Sequence, residues 1–409
     1  MIQLRIPSLK HLLYAVLALA LICAFAEVAL RMYDSTTGQV TRKKLYDRGL
    51  ISKSWFVHHQ LKPSQAFSVQ NPDTARKNRV VLNSFGLRGR EPAVPKPPGI
   101  YRILCLGDET TLGLEVAEAE TSCAVLQQLL QQQTRIRAKI EVLNGGVPDY
   151  CPLLSYLQLK HQLLSLQPDL VILNFHFSDV ADDYHVRRHT TVDEAGHALS
   201  CLNPDLELPK SMAARTWQEA FLLPEFLKSR GREWYSQQAF PEPGHEISSP
   251  AGRYLWLSDR PPDWSVYINQ TLSPVRDIAD LAHGWHAEFV MAVTPVPWQI
   301  SAEASNGAGV RERVGIPSGQ LLKSRVPYET LAAFCQKHQV AFSDTSHAFT
   351  ASSQNGQLFL KNSSGLSAQG HALQAEALAR FIIEQQLGLW GGDGNPGYEG
   401  GVKQAGGVR

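Results

Sequence analysis

The stretch Arg102-Ile103-Leu104-Cys105-Leu106-Gly107-Asp108-Glu109-Thr110-Thr111-Leu112-Gly113 decides the fold of this chain. It starts with an apolar run that is typical of a buried strand, breaks at Gly-Asp and turns towards a helix. In open α/β folds, the residues that follow such a strand lie at the carboxyl edge of the sheet, where ligands bind. We therefore predict that Glu109 lies at this edge.

Short apolar runs alternate with amphipathic stretches over most of the remaining sequence. Apolar strands separated by helices indicate a parallel sheet that is covered on both faces. The predicted fold class is α/β, a flavodoxin-like three-layer α/β/α sandwich. Its strands are predicted at 100–106, 139–143, 170–174, 288–293 and 340–342, and its helices at 116–133, 153–166, 327–338 and 368–386, while a further strand at 79–83 precedes the core.

Polar residues follow the first three core strands. Because parallel strands point the same way, the loops 107–109, 145–149 and 176–179 are expected to converge at one edge of the sheet. Carboxylates that lie close together repel one another, so the acidic cluster predicts a raised pKa for at least one of them, or a bound cation. The cluster comprises Asp108, Glu109, Asp149 and Asp179, with His176 beside it. The alternative is that Asp108 caps the following helix and that Asp149 lies on an exposed loop.

These segments resemble the conserved motifs of the SGNH/GDSL hydrolases. The stretch 102–113 resembles their first motif, in which Gly-Asp-Ser carries the nucleophile, and 144–150 resembles the second, whose later glycine donates a backbone N–H to the oxyanion hole. The stretch 168–173 leads into the third motif, whose asparagine is another oxyanion donor, and 366–371 resembles the segment after the catalytic Asp-x-x-His. The resemblance covers about 79–386 and includes 83–89, which is often seen ahead of the first motif in membrane-anchored bacterial members. It implies the SGNH fold and ester hydrolysis as the family chemistry.

The functional positions of that family are substituted here. The resemblance places Glu109 at the serine position, Asp149 at the glycine, Ser178 at the asparagine, Asn362 at the aspartate and Gly365 at the histidine, with Asn174 as an alternative to Ser178. Acyl transfer needs a nucleophile, a base and donors aimed at the oxyanion. No catalytic triad can be written from these five residues.

Other residues could supply the missing groups. His176 follows the third strand, His347 follows the strand at 340–342, and Thr110 and Thr111 offer hydroxyls one and two places after Glu109, whereas His371 is assigned a structural role at the start of the last helix. A nucleophilic Glu109 would still need a base. Two functions therefore compete. The first is an inactive member retained for binding or assembly, and the second is an active esterase or O-acyl-modifying enzyme on cell-envelope carbohydrate or lipid with a rearranged site.

The N-terminal segment is apolar from Leu12 to Ala26 and follows two positive charges, Arg5 and Lys10. This order predicts an uncleaved signal anchor with its N-terminus inside. A cleaved signal peptide, with Ala24-Phe25-Ala26 at the cleavage site, and a buried soluble helix are the alternatives. The anchor implies a single-pass protein of the bacterial inner membrane, with the main domain on the periplasmic side and the membrane as a partner.

The predicted organisation has six parts. They are a cytoplasmic N-terminus (1–10), a transmembrane anchor (11–30), a stalk (31–78), an SGNH-hydrolase-like domain (79–386), an insertion within it (about 184–283) and a disordered glycine-rich tail (387–409).

Composition excludes other classes of function. Lysine and arginine together number 39 and aspartate and glutamate 38, so the charge gives no reason to expect a nucleic-acid partner. The first turn contains neither G-x-G-x-x-G nor a Walker lysine, so no nucleotide or other cofactor is expected. The cysteines lack C-x-x-C spacing, which argues against a zinc site or a disulfide framework.

Overall fold

A computed structural model describes residues 9–37, 50–133, 138–204, 206, 223, 247, 249, 252–352 and 355–390. The chain divides into two compact units, of which one contains Met1–Ile51 and Asp205–His245 and the other contains Ser52–Pro204 and Glu246–Arg409. The described strands are β1 (Ile51–Lys53), β2 (His59–Leu61), β3 (Ala66–Gln70), β4 (Lys77–Val81), β5 (Ile100–Gly107), β6 (Lys139–Gly146), β7 (Leu170–Phe175), β8 (Thr190–Val192), β9 (Ala198–Cys201), β10 (Glu288–Val293) and β11 (Ala341–Asp344).

The described α-helices vary from single turns to long rods. They are α1 (Leu9–Thr37), α2 (Glu109–Leu112), α3 (Ser122–Gln131), α4 (Pro152–Gln158), α5 (Asp179–Arg187), α6 (Ser265–Gly284), α7 (Pro297–Ile300), α8 (Val310–Arg313), α9 (Val326–Lys337), α10 (Ser346–Ala351) and α11 (Ala368–Glu384).

The N-terminal helix α1 contains a 20-residue segment, Leu13–Met32, that is long and apolar enough to cross a bilayer. The predicted anchor at 11–30 lies within this helix, while residues 1–8 of the predicted cytoplasmic segment lie outside the described residues. Large apolar side chains of α1 are exposed, including Leu13, Leu21 and Phe25. The length and the apolar composition of this segment fit a signal sequence as well as a membrane anchor.

The centre of the second unit is a five-stranded parallel sheet. Its strand order is β11-β10-β7-β5-β6, which is the 2-1-3-4-5 order of flavodoxin-like folds. The three inner strands β5, β7 and β10 are buried along nearly their whole length, as expected of a parallel sheet covered on both faces. The predicted α/β sandwich is confirmed.

Helices cover both faces of this sheet. On one face, α3 and α11 pack against Ile103, Ile172 and Ala292 in a common apolar core. On the other face, α4 contacts β5 and β7, α6 contacts β10, and α9 contacts β11. The helix starts follow capping rules, since the Thr121 hydroxyl accepts the Ala124 N–H before α3 and the Ser367 hydroxyl accepts the Gly370 N–H before α11.

The predicted stalk at 31–78 differs from the structure. Residues 51–70 contain β1, β2 and β3, and β3 pairs with β4 in an antiparallel hairpin. Val57 and Leu61 are buried, and the Tyr150 hydroxyl donates a hydrogen bond to the His59 carbonyl oxygen over 2.7 Å. The prediction failed here because these strands are short and their apolar residues are few. Residues 38–49 lie outside the described residues.

The predicted insertion at 184–283 is in part core structure. The end of this range, from Ser265 onward, lies in α6, which leads into β10 and buries Leu272, Val275 and Ile278. Pro274 inside the helix and the charges around it concealed this periodicity in the sequence. Between 207 and 251 only residues 223, 247 and 249 are described, so Trp217 and Trp234 lie outside the described residues. The tail predicted at 387–409 is described only to Trp390, where Gly388–Trp390 form a short 3₁₀ turn.

Candidate functional site

The candidate site lies where the strand order of the sheet reverses. The chain leaves β5 for β6 on one side, and β7 lies on the other side of β5. Ligands of open α/β sheets bind in the crevice outside the carboxyl ends of such strands. Three loops leave these ends, beginning after Gly107, Gly146 and Phe175.

The turn after β5 is held by its own cap. The Asp108 carboxylate accepts the Thr110 N–H over 2.8 Å, which starts α2, and Gly113 ends it with φ of +66°. The Arg88 guanidinium donates hydrogen bonds to the carbonyl oxygens of Leu112, Gly113 and Val116. The stretch 83–89 therefore fixes the position of the turn that carries Glu109.

The backbone of β6 lies directly against this turn. A Cβ atom on Gly146 would lie 2.4 Å from the Leu112 nitrogen and 2.8 Å from the Asp108 carbonyl oxygen. The Asn144 amide donates to the Thr111 carbonyl oxygen over 2.9 Å. Glycine at 146 is therefore required for the first two loops to approach each other.

Glu109 points towards the loop after β6. Its Oε2 accepts a hydrogen bond of 3.1 Å from the backbone N–H of Asp149, which has φ of +58°. Burial acts to raise the pKa of Glu109, but the charges of Arg253 and His176 and the Asp149 N–H outweigh burial and lower it. Glu109 is therefore an ionised carboxylate at neutral pH.

Arg253 is the cation of this site. Its Nη2 lies 2.7 and 2.8 Å from the two carboxylate oxygens of Asp182 and 3.4 Å from Oδ1 of Asp149. Burial raises the pKa of Asp182 to about 7 against the opposing effect of Arg253. Arg253 thus compensates the carboxylates of Asp182 and Asp149.

A second group of side chains lies deeper in the site. One carboxylate oxygen of Asp108, one of Asp179 and one ring nitrogen of His176 lie within 4.8 Å of one another. Burial raises the pKa of both Asp108 and Asp179, and the charges of neighbouring carboxylates raise them further. Burial also lowers the pKa of His176 to about 4. The histidine is therefore neutral at neutral pH.

The predicted acidic cluster is thus divided by the structure. Asp108 and Asp179 are brought together with His176, but Glu109 and Asp149 are outside this three-residue group. The reason is local geometry: Glu109 is turned towards the Asp149 N–H, and the Asp149 side chain is 60% exposed. Asp108 also caps α2, as the alternative interpretation of the sequence stated.

His176 does not complete a catalytic triad. Its Nδ1 lies 2.8 Å from the Ser178 hydroxyl and 3.3 Å from Oδ2 of Asp108. In a triad, the base contacts the nucleophile through one ring nitrogen and the orienting acid through the other. Here both partners share one nitrogen. Asn174, the alternative polar residue of the third motif, donates its amide to the Leu106 carbonyl oxygen over 3.4 Å.

The loop at 361–366 contacts Asp73 and Glu115. The backbone N–H groups of Lys361 and Asn362 donate to the Asp73 carboxylate over 2.6 and 2.8 Å. A Cβ atom on Gly365 would lie 3.4 Å from Oε2 of Glu115. The two positions that resemble the catalytic Asp-x-x-His therefore carry no acid or base.

The remaining histidine candidates also have other partners. His371 is buried in α11 and accepts the Ser122 N–H at Nδ1 over 3.3 Å. His347 is 78% exposed and lies 3.6 Å from Asp344. Thr111 is buried within α2, and Thr110 donates its backbone N–H to the Asp108 carboxylate.

Sequence reasoning missed Arg253 and its neighbour Tyr254. The Tyr254 ring packs edge-on against the rings of His176 and Trp298, with centroid distances of 6.1 and 4.7 Å. Both residues precede α6 and lie far in sequence from the three site loops. No spacing in the sequence placed Arg253 beside the acidic residues of the loops.

Comparison with known proteins finds similarity in solved structures. A lipolytic protein of the G-D-S-L family from Desulfitobacterium hafniense is 14% identical, with 68% of this chain and 98% of that chain covered and a TM-score of 0.33. An acetylxylan esterase from Geobacillus stearothermophilus is 13% identical, with 69% and 94% covered and a TM-score of 0.36. A GDSL-like lipase from Bacteroides thetaiotaomicron is 9% identical, with 69% and 88% covered and a TM-score of 0.34.

All three TM-scores are below 0.5, and none of the three identities exceeds 14%. No protein-family model matches the chain, and no curated protein matches it.

Proposed function

We propose that this chain is an exported, membrane-anchored protein with an SGNH/GDSL-like fold that does not hydrolyse esters and acts in binding or assembly. The observation that carries this proposal is the hydrogen bond from the Asp149 N–H to the Glu109 carboxylate. In the family that the motifs resemble, the serine is at the position of Glu109 and the oxyanion donor is at the position of Asp149.

The site carries a negative charge where the family reaction develops one. An oxyanion hole stabilises the transition state because its donors are free to bind the oxygen that becomes charged. Here the donor at 149 already binds a resident carboxylate, and the exposed Asp149 side chain adds a second negative charge. A tetrahedral oxyanion at this place would be repelled.

The base is missing as well. Gly365 has no side chain, and Asn362 cannot orient a histidine as a carboxylate would. His176 is the histidine that lies near Glu109, but its Nδ1 contacts both Ser178 and Asp108. This arrangement supports a loss of the reaction rather than a rearranged triad.

The anchor is supported by α1. A helix that is apolar on all sides, and whose large side chains are exposed, is stable when lipid surrounds it. Positive charges before the apolar segment place its N-terminus on the cytoplasmic side. The proposed location is the bacterial inner membrane, single-pass, with the α/β unit on the periplasmic side, where the membrane itself and envelope carbohydrate or lipid are the proposed partners.

The test is steady-state hydrolysis of short-chain nitrophenyl esters and acetylated xylo-oligosaccharide by the full-length chain in detergent. The expected rate equals that of the Glu109→Gln variant and stays far below that of an intact GDSL esterase assayed beside it. Saturable turnover by the native chain that Glu109→Gln or Ser178→Ala abolishes would overturn the proposal in favour of an active esterase.

A further inference from the structure

Three side chains meet at the strand-order reversal with ligand atoms facing one another. Asp108 follows β5, while His176 and Asp179 follow β7, so the three residues come from the two strands that flank the reversal. One oxygen or nitrogen atom from each lies within 4.8 Å of the other two. The 4.8 Å limit is wider than the roughly 3–4 Å between ligand atoms that bonds of about 2.0–2.2 Å impose, so a bound ion would draw the three side chains closer.

Each carboxylate has a buried oxygen that accepts no hydrogen bond from the described residues, although Oδ2 of Asp108 lies 3.3 Å from Nδ1 of His176. Oδ2 of Asp108 and Oδ1 of Asp179 are buried and accept no hydrogen bond within the described part of the chain. Each residue is only 2% exposed. Leaving a buried carboxylate oxygen uncompensated is costly, so buried charges are normally paired or bound to a metal.

The nearby cations are committed to other acids. Arg187 contacts Asp183 over 2.6 and 2.8 Å, and Arg253 contacts Asp182 and Asp149. Neither guanidinium contacts Asp108 or Asp179 among the ion pairs of the described residues. Among the ion pairs of the described residues, no guanidinium therefore compensates Asp108 or Asp179.

We propose that Asp108, His176 and Asp179 bind one divalent transition-metal cation of the zinc or manganese type. Two carboxylates supply the charge, and the imidazole nitrogen favours these ions over Ca²⁺ and Mg²⁺, which prefer oxygen ligands alone. With three protein residues as ligands, the metal keeps at least one coordination position for water or for an anionic group of a bound molecule. This assignment goes beyond the proposed binding role and does not depend on the absence of hydrolysis.

The hydrogen bond between Ser178 and His176 provides a specific test of the proposed geometry. Its hydroxyl occupies Nδ1 of His176, the nitrogen that also lies 3.3 Å from Asp108. A cation bound at Nδ1 displaces this hydrogen bond. Removal of the hydroxyl is therefore expected to leave the affinity for metal unchanged or to increase it.

The test is calorimetric titration of the full-length, chelator-treated chain in detergent with Zn²⁺, Mn²⁺, Mg²⁺ and Ca²⁺, paired with thermal unfolding. The expected result is one equivalent of Zn²⁺ or Mn²⁺ bound, with a higher midpoint of unfolding. Asp108→Asn and Asp179→Asn are expected to weaken binding by more than the roughly 10–100-fold that loss of an outer-shell partner costs. Without metal, Asp179→Asn is expected to unfold at the native temperature or above, because it removes a buried carboxylate.

Two control variants separate a ligand from a neighbour. Asp149→Asn is expected to bind the metal as the native chain does, since it changes an exposed carboxylate, and Ser178→Ala is expected to bind it at least as tightly, since it frees Nδ1. The proposal is overturned by the absence of both heat and a thermal shift with all four ions. It is also overturned by native affinity in both Asp108→Asn and Asp179→Asn. Because the titration measures binding, its outcome is independent of the ester-hydrolysis assay.

Discussion

The backbone N–H of Asp149 donates a hydrogen bond of 3.1 Å to Oε2 of Glu109. The left-handed conformation of Asp149, with φ of +58°, is one that glycine adopts most readily. The backbone of the second loop therefore has a glycine-like geometry at a position that aspartate occupies. The carboxylate of Glu109 takes the donor that this geometry presents.

We predict that the full-length chain sediments with membranes and resists carbonate extraction. The reason is the 20-residue apolar segment Leu13–Met32, whose large side chains are exposed. The measurement is fractionation with an antibody against a C-terminal tag. Intact protein in the soluble cytoplasmic fraction would contradict both export and anchoring, whereas a soluble exported form starting near Glu27 would indicate cleavage instead.

Arg253→Gln is expected to lower the free energy of unfolding by about 3 kcal/mol, because it leaves the buried Asp182 carboxylate without its cation. The double variant Arg253→Gln/Asp182→Asn is expected to recover most of this loss, since substitutions at two contacting residues do not have additive effects on the free energy of unfolding. Denaturant unfolding of the two single variants and the double variant measures the coupling. Additive losses would show that the two side chains do not stabilise each other.

Gly146→Ala is expected to destabilise the unit by about 1–3 kcal/mol, because the new methyl group would overlap the Leu112 nitrogen and the Asp108 carbonyl oxygen. Gly284→Ala is the matched control, since its Cβ atom would have no neighbour within 4 Å. Thermal unfolding of both variants provides the comparison. Equal midpoints for the two would contradict the close approach of β6 to the turn at Asp108.

Acid is expected to destabilise the unit through His371. Burial, with a smaller effect of the Arg88 charge, lowers the pKa of His371 to about 3, from 6.5 in the unfolded chain. Below pH 6.5 the unfolded chain therefore binds a proton that the folded chain does not, and stability falls as the pH decreases towards 3. This contribution reaches about 1.4 kcal/mol per pH unit.

The matched variant for this prediction is His371→Asn, which retains an acceptor for the Ser122 N–H. Its free energy of unfolding, measured from pH 7 to pH 4, is expected to depend less steeply on pH than that of the native chain. Identical slopes would show that His371 does not stay neutral in the folded state.

The sequence predicts the sheet well because its strands are continuous apolar runs. Strands β5, β6, β7 and β10 begin at the predicted residues and end within three residues of the predicted ends. Convergence of the three loops follows from parallel strands alone. The strands at 51–70 were not predictable in this way, because three to five residues with few apolar side chains give no clear period.

The details of the site were less accessible to sequence reasoning. The identities of Asp108, Glu109, His176 and Asp179 are visible in the sequence, but the direction of each side chain is not. Glu109 turns to the N–H of Asp149, whose φ is +58°, and the sequence does not indicate this direction. Arg253 reaches the site from the segment before α6, and no periodic pattern links it to the loops.

The central claim is that the family chemistry has been lost as a unit, so that a serine alone cannot restore it. The most direct measurement is the turnover of a short-chain nitrophenyl ester by Glu109→Ser in the full-length chain. The comparison is with Glu109→Gln and with the variant that combines Glu109→Ser, Asp149→Gly, Ser178→Asn, Asn362→Asp and Gly365→His. Because the proposed loss of the reaction includes the loss of its base, Glu109→Ser is expected to match Glu109→Gln. Turnover by Glu109→Ser well above Glu109→Gln would contradict the claim, since it would require that a histidine already present acts as the base.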